Sequence, residues 1–341
     1  MKRLIVLISM LLLGPLSHAA MGVTVINPAD SKAPITVFYP SSSAEANIQR
    51  GVFNIQAAWQ GQPVLGNRRL IVFAHGSGGS PWPMSDLARS LVDAGFVVAI
   101  PEHEGDNYHD THLQGPSSWK IRPGEISLAI DTLQRDPRFA GLIDFKQVGA
   151  YGTSAGGLTV LTLAGGQWSP ANFKRYCSEH MKESFPACMG LIFTLRGDIW
   201  DGLKIALSRI AHSLVFNDET LQKHDDPRIK AVIASMPMAI PLDMASMVKP
   251  RIPVGLIQAD LDTWLTPRFH VGALRTVCTS CQTVAHMTTA GHGSLLSPWP
   301  QDLAQSLTPM LADPPQFNRA ELPVVYKRMA DFFSAQLLVG Q

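Results

Sequence analysis

The sequence is short of charge imbalance. Its 28 Lys and Arg face 27 Asp and Glu, a formal net charge of +1, and no basic stripe is long enough to track a phosphate backbone, which argues against a nucleic-acid partner. After Leu16 no apolar run approaches the roughly 20 residues a bilayer-spanning helix needs, so no stable membrane anchor is expected. Repeats and low-complexity linkers are missing, which leaves neither a solenoid nor a string of small domains. Cysteine is scarce too, with 4 in 341 residues. Zinc would want further ligands at matching spacing beside Cys278 and Cys281, and none stands there. A redox pair would want its first cysteine at a helix N-terminus, whereas Cys278 follows a helical stretch. No metal or organic cofactor is implied, and nothing in the pattern sets an oligomeric state.

What is present starts with an export signal. Met1-Lys2-Arg3 is basic, Leu4 to Leu16 is almost unbroken apolar sequence, and Ser17-His18-Ala19 offers small residues at the positions a signal peptidase inspects. Residues 1–19 therefore read as a secretory signal peptide. The alternative, an uncleaved anchor, suffers from an apolar run too short to span a bilayer. Residues 20–341 form one domain, destined for the periplasm or for secretion. In an oxidising compartment cysteines tend to pair. Three connectivities are formally open; Cys177 with Cys188 and Cys278 with Cys281 are favoured because each closes a short local loop. A composition of 46% apolar and 16% charged residues suits a soluble protein with a large core.

Short apolar runs alternate with helical stretches, the signature of an α/β fold with a mostly parallel sheet covered on both faces. The strand runs are Arg69–Ala74, Phe96–Ile100, Gln147–Tyr151, Ile229–Ala234, Val254–Gln258 and Thr283–Met287, preceded by an antiparallel pair at Val23–Ile26 and Ile35–Phe38. Helical spacing marks Ser85–Ala94, Glu125–Arg135, Arg268–Val277 and a closing helix at Leu322–Leu338. The segment of about 167–226 breaks this rhythm, being far longer than a usual crossover. It carries two cysteines and an amphipathic helix with Leu203, Leu207, Ile210 and Leu214 on one stripe. It reads as a cap inserted after the nucleophile strand and placed to cover the site. Its aromatics, Trp168, Phe173, Phe193 and Trp200, either line an acyl pocket or pack as core.

The sharpest chemical signal is Gly152-Thr-Ser154-Ala-Gly156, set between a buried strand and a helical run. Glycines two positions either side let a tight strand-to-helix turn present the serine Oγ, and the helix N-terminus behind it favours developing negative charge. Ser154 is thus the candidate nucleophile. Upstream, His75-Gly-Ser77-Gly-Gly79 follows a strand and can present a backbone amide. It lacks the Lys-Ser/Thr ending of a phosphate-binding loop. The N–H groups of Ser77 and Ala155 are the candidate oxyanion donors. His292, in Ala290-Gly-His292-Gly, follows the last expected strand and is the candidate base. His103, His109 and His112 read as part of a polar loop rather than a metal site. For the acid, Asp260 and Asp262 both leave the end of a strand; the pattern favours Asp262, with Asp260 as a turn residue.

These blocks, together with Pro101-Glu-His-Glu-Gly-Asp-Asn107, Arg122-Pro123, Asp226-Pro-Arg-Ile-Lys-Ala231 and Pro267, make the chain similar to the α/β-hydrolases grouped as predicted dienelactone hydrolases and platelet-activating-factor acetylhydrolase-like proteins. The resemblance runs from about Pro34 to the C-terminus. It implies an α/β-hydrolase fold with Ser154, Asp262 and His292 as nucleophile, acid and base, and with the oxyanion amides at Ser77 and Ala155. Ala259 and Thr153 depart from the Gly and His often found there. True dienelactone hydrolases use a cysteine nucleophile, so Ser154 points to ester hydrolysis without naming the ester. The expected partner is a small-molecule ester. A peptidase or amidase on the same residues, or a non-catalytic binding protein on the same fold, are the competing readings.

Overall fold

The computed structural model describes residues 19–29, 33–190, 192, 194–300, 305 and 307–338. The expected signal peptide, up to residue 18, and Phe193 lie outside them. The leading pair forms as an antiparallel ladder of β1 (Ala20–Ile26) and β2 (Ile35–Ser41), with Val23 opposite Phe38. A hairpin follows, β3 (Ala46–Arg50) and β4 (Phe53–Trp59), turning at Gly51 with φ 58°. Its alternation at Phe53, Ile55 and Ala57 is the signature of a half-buried strand, and β4 runs parallel to β1.

Next come β5 (Leu70–Ala74), α1 (Ser85–Asp93), β6 (Val97–Pro101), α2 (Pro116–Arg135), β7 (Val148–Thr153) and α3 (Ala155–Leu163). The second helix starts nine residues ahead of the expected Glu125. Pro116 occupies its first turn, where a missing N–H costs nothing, and the helix runs on through Pro123, which merely lacks one internal hydrogen bond. The insertion then supplies β8 (Gln167–Trp168), α4 (Pro170–His180), α5 (Phe185–Met189) and α6 (Asp201–Val215). The sheet resumes with β9 (Ile229–Ser235); β10 (Leu242–Asp243) pairs with β8 apart from it. The chain closes with β11 (Val254–Ala259), α7 (Val271–Val277), β12 (Gln282–Met287), α8 (Thr308–Leu311) and α9 (Leu322–Leu337). The helix expected over 268–277 is split at His270, whose backbone leaves helical geometry.

The ten-stranded sheet has the order β12-β11-β9-β7-β5-β6-β2-β1-β4-β3, and its first six strands are mutually parallel. This is the α/β-hydrolase fold with a helical insertion. Side chains alternate between two cores. From β5, Leu70, Val72 and Ala74 join α2, α3 and α7 on one face, while Ile71 and Phe73 join α1 and α9 on the other. That double burial is why these strands read as continuous apolar runs.

Trp168 and Phe173 stack edge-on against Trp119 of α2, at 5.8 and 5.2 Å, so they are core. The Cys177–Cys188 disulfide forms within the insertion and Cys278–Cys281 after α7, the favoured pairing. In α6 the inward residues are Ile205, Ser208 and His212; His212 donates Nε2–H to the Cys188 carbonyl at 3.0 Å. The stripe of Leu203, Leu207, Ile210 and Leu214 faces outward, as does Trp200. The helix thus packs inward through Ile205, Ser208 and His212, whose ring also lies against Phe173 and Phe216.

Candidate active site

β7 ends at Thr153 and α3 begins at Ala155, so Ser154 alone makes the turn, at φ 56° and ψ −120°. Such backbone is strained for a residue with a Cβ. The flanking glycines permit it by close approach: a Cβ on Gly152 would lie 2.0 Å from the Gly156 carbonyl oxygen, and one on Gly156 only 1.9 Å from that of Ala74. The turn is pinned by Ser154 N–H donating to the Ser235 carbonyl at 3.2 Å, and by Met238 N–H donating to the Ser154 carbonyl at 2.9 Å.

The structure brings Ser154, His292 and Asp262 into one chain of hydrogen bonds. The Ser154 hydroxyl is 3.1 Å from His292 Nε2, and His292 Nδ1 is 2.7 Å from Asp262 Oδ2. The other carboxylate oxygen accepts the N–H groups of Trp264 and Leu265, both at 2.8 Å. A carboxylate accepting Nδ1–H leaves the Nε2 lone pair for the hydroxyl. Burial alone would raise the Asp262 pKa, but the His292 charge, its hydrogen bond and the two amides outweigh it and hold the carboxyl below its ordinary value. Asp260 goes elsewhere: it pairs with His286 on β12 at 2.8 Å, because the chain turns at 260–261, just past the end of β11, before it reaches Asp262. The His292 loop is braced by Ser294, which accepts Gly291 N–H at 2.9 Å and donates to Asp313 at 3.0 Å.

The 75–79 loop lies against Ser154; a Cβ on Gly76 would sit 3.4 Å from that of Ser154. Ala155, the first residue of α3, has an N–H with no intrahelical acceptor, and Ser77 lies in the loop beside the serine. What holds this loop is a buried network that the sequence reading did not assign. Ser77 Oγ and Gly78 N–H donate to Asp106 Oδ1 at 2.6 and 2.9 Å. Arg122 donates to Asp106 Oδ2 at 2.7 Å, to the His75 carbonyl at 2.6 Å and to Ser118 Oγ at 2.8 Å. Burial pushes the Asp106 carboxyl upward, yet the Arg122 guanidinium and the donors from Ser118, Ser77 and Gly78 together drive it well below the usual carboxylate range. Both side chains are fully buried, and a buried charge of this kind needs every partner it has.

Two histidines complete the network. His75 Nε2 accepts His103 N–H at 3.2 Å, and His103 Nδ1 is 2.6 Å from Glu125. Burial first, then neighbouring positive charge, pushes both imidazoles well below the ordinary histidine pKa, so both are neutral. His109 and His112 turn to Glu102 and Asp110. Among the described residues no group of three His, Cys, Asp or Glu side chains is placed to hold a metal ion.

Ser154 and His292 open onto a cavity of about 740 Å³, within the range of small-molecule sites. None of its described lining residues lies in 167–226. They include the β3–β4 hairpin tip at Arg50–Phe53, Trp82 ahead of α1, Tyr108 in the polar loop, and Trp299, Leu307 and Met310 after His292. Trp299 is backed by the Arg319 guanidinium at 4.3 Å, and Trp264 Nε1–H holds the Pro309 carbonyl at 3.0 Å.

No protein-family model matches the chain, and no curated protein matches it in sequence. Among solved structures it is similar to a ferulic acid esterase from Streptomyces cinnamoneus, with a TM-score of 0.56 and 14% sequence identity over 96% of this chain and 92% of that one. At that identity the likeness is one of fold.

Proposed function

We propose that this protein is a serine hydrolase of carboxylic esters that works through an acyl-enzyme on Ser154. The observation that carries the reading is the unbroken Ser154–His292–Asp262 hydrogen-bond chain opening onto the apolar cavity. His292 Nε2 takes the hydroxyl proton as Oγ bonds to the ester carbonyl carbon. The carbonyl oxygen becomes an oxyanion held by the Ser77 and Ala155 amides, while Asp262 stabilises the imidazolium. Collapse breaks the bond to the alcohol, which leaves with the proton from His292. Water, deprotonated by the same nitrogen, then cleaves the acyl-enzyme to the acid and free Ser154. The fold shared with an esterase supports the same reading.

Residues 1–19 act as a cleaved signal peptide in this reading, leaving the mature domain 20–341, with 167–226 as its inserted segment, in the periplasm or outside the cell. Two disulfides and the absence, among the described residues, of any helix able to cross a membrane agree with export. The test is Ser154→Ala: hydrolysis of p-nitrophenyl acetate falls to background in a protein whose circular dichroism and Tm match the native chain. Retained turnover would overturn the assignment, and a matched ester and amide pair reads the preference between the two chemistries.

A further inference from the structure

The cavity beside Ser154 is electrically lopsided. Among its described lining residues there is no aspartate or glutamate, and apart from imidazoles the one ionisable cation is Arg50. Arg50 closes the β3 strand, paired across the hairpin with Phe53, so the turn at Gly51 fixes where it stands. Its guanidinium lies 3.7 Å over the Trp59 ring and 5.7 Å from that of Trp82, with one N–H on the Gln49 carbonyl at 3.2 Å. No carboxylate among the described residues pairs with it, whereas neighbouring Arg89 is held by Glu45. Much of the remaining wall is apolar, with Phe53, Trp82, Trp299, Leu307 and Met310, beside the uncharged polar side chains of Ser80, Asn107, Thr111 and Gln114.

A guanidinium stacked on indole keeps its edge N–H groups free for a planar anion. A site with one such cation, no carboxylate among its described lining residues and a largely apolar interior suits a ligand that is apolar over much of its length and anionic at one end. We propose that the substrates are half-esters of dicarboxylic acids with an apolar body, the ester carbonyl at Ser154 and the free carboxylate at Arg50. This rests on the esterase reading above and narrows it.

The experiment separates the two claims by reading binding apart from turnover. Monoethyl and diethyl terephthalate are titrated by calorimetry into the Ser154→Ala protein, with and without Arg50→Gln. A charge-assisted pair of this kind typically contributes about 10- to 100-fold in affinity. The expected result is a preference of at least about 10-fold for the monoester, collapsing towards unity with Arg50→Gln and inverting with Arg50→Glu. Equal affinity for the two esters, or a preference that survives Arg50→Gln, overturns the proposal. Turnover of the diester by the native chain reports on the esterase reading alone, so serine-dependent hydrolysis with no monoester preference would leave that reading standing and remove this one.

Discussion

Asp262 and Asp106 are both buried carboxylates with partners on both oxygens, and each reaches Ser154 through one intermediary. Asp262 does so through His292, which ends on the hydroxyl. Asp106 does so through the 75–79 loop, gripping Ser77 and Gly78 while sharing Arg122 with the His75 carbonyl. The first pair contains a cation that comes and goes with one proton. The second contains one that never leaves, because guanidinium does not deprotonate in proteins. A proton relay must be able to change charge during a reaction; a clamp on an amide must not. In the proposed mechanism the same residue type thus serves opposite ends according to the base it faces.

The largest effect that sharpens this contrast is expected at the relay. Asp262→Asn keeps the shape but favours the wrong His292 tautomer, so kcat for p-nitrophenyl acetate should drop by about 10⁴-fold with little change in Tm. A drop of less than tenfold would break the assignment of Asp262 as the orienting acid. At the clamp the order reverses, with folding hit harder than chemistry. Arg122→Met strands a fully buried carboxylate and should cost about 3–5 kcal/mol in urea unfolding. The milder Asp106→Asn should lower kcat by about 10²-fold in folded protein, as one oxyanion donor drifts, with KM nearly unchanged. If Asp106→Asn leaves kcat intact, the loop does not need its clamp.

The smallest effect is in the pH dependence of stability. Burial lowers the pKa of His75 and His103 well below the ordinary value and that of His270 to about 4. The unfolded chain therefore binds protons first, and stability present above about pH 6.5 is lost as pH falls from there towards 4. Asp106 and Asp262 have lowered folded pKa values, so their contribution is intact above the unfolded value of about 4 and is lost below it. Tm should decline in two stages on acidification. His270→Asn should flatten the upper stage and Asp106→Asn the lower one; a native Tm that is flat from pH 6.5 to 4 would contradict the buried neutral histidines.

Much of this architecture was legible in the chain. The six parallel strands were found to within a residue or two, because burial on both faces forces continuous apolar runs. The β3–β4 hairpin was not, although Phe53, Ile55 and Ala57 alternate, since a half-polar edge strand gives a weak signal. Helical spacing in α6 indicated a helix but not its orientation: a stripe of leucines promises burial, yet the face that packs is Ile205, Ser208 and His212, the last against Phe173 and Phe216. Among the candidate site residues, Ser154 and His292 were marked by short glycine-flanked motifs. Asp106 and Arg122 stood in blocks that carry the resemblance but had no role assigned, because two charges 16 residues apart show no pairing until the loop folds over them.

The sequence by itself determined the strand–turn–helix at Ser154, since glycine spacing and apolar runs act over a few neighbouring residues. It also placed the candidate acid and base after Ser154 in the chain and favoured the pairing of cysteines within short loops. Only the tertiary structure decided which of two aspartates meets His292, what braces the 75–79 loop, and what walls the cavity. Those outcomes depend on side chains brought together from Arg50 to Met310, and such long-range convergence is set by how the layers pack rather than by any local stretch of chain.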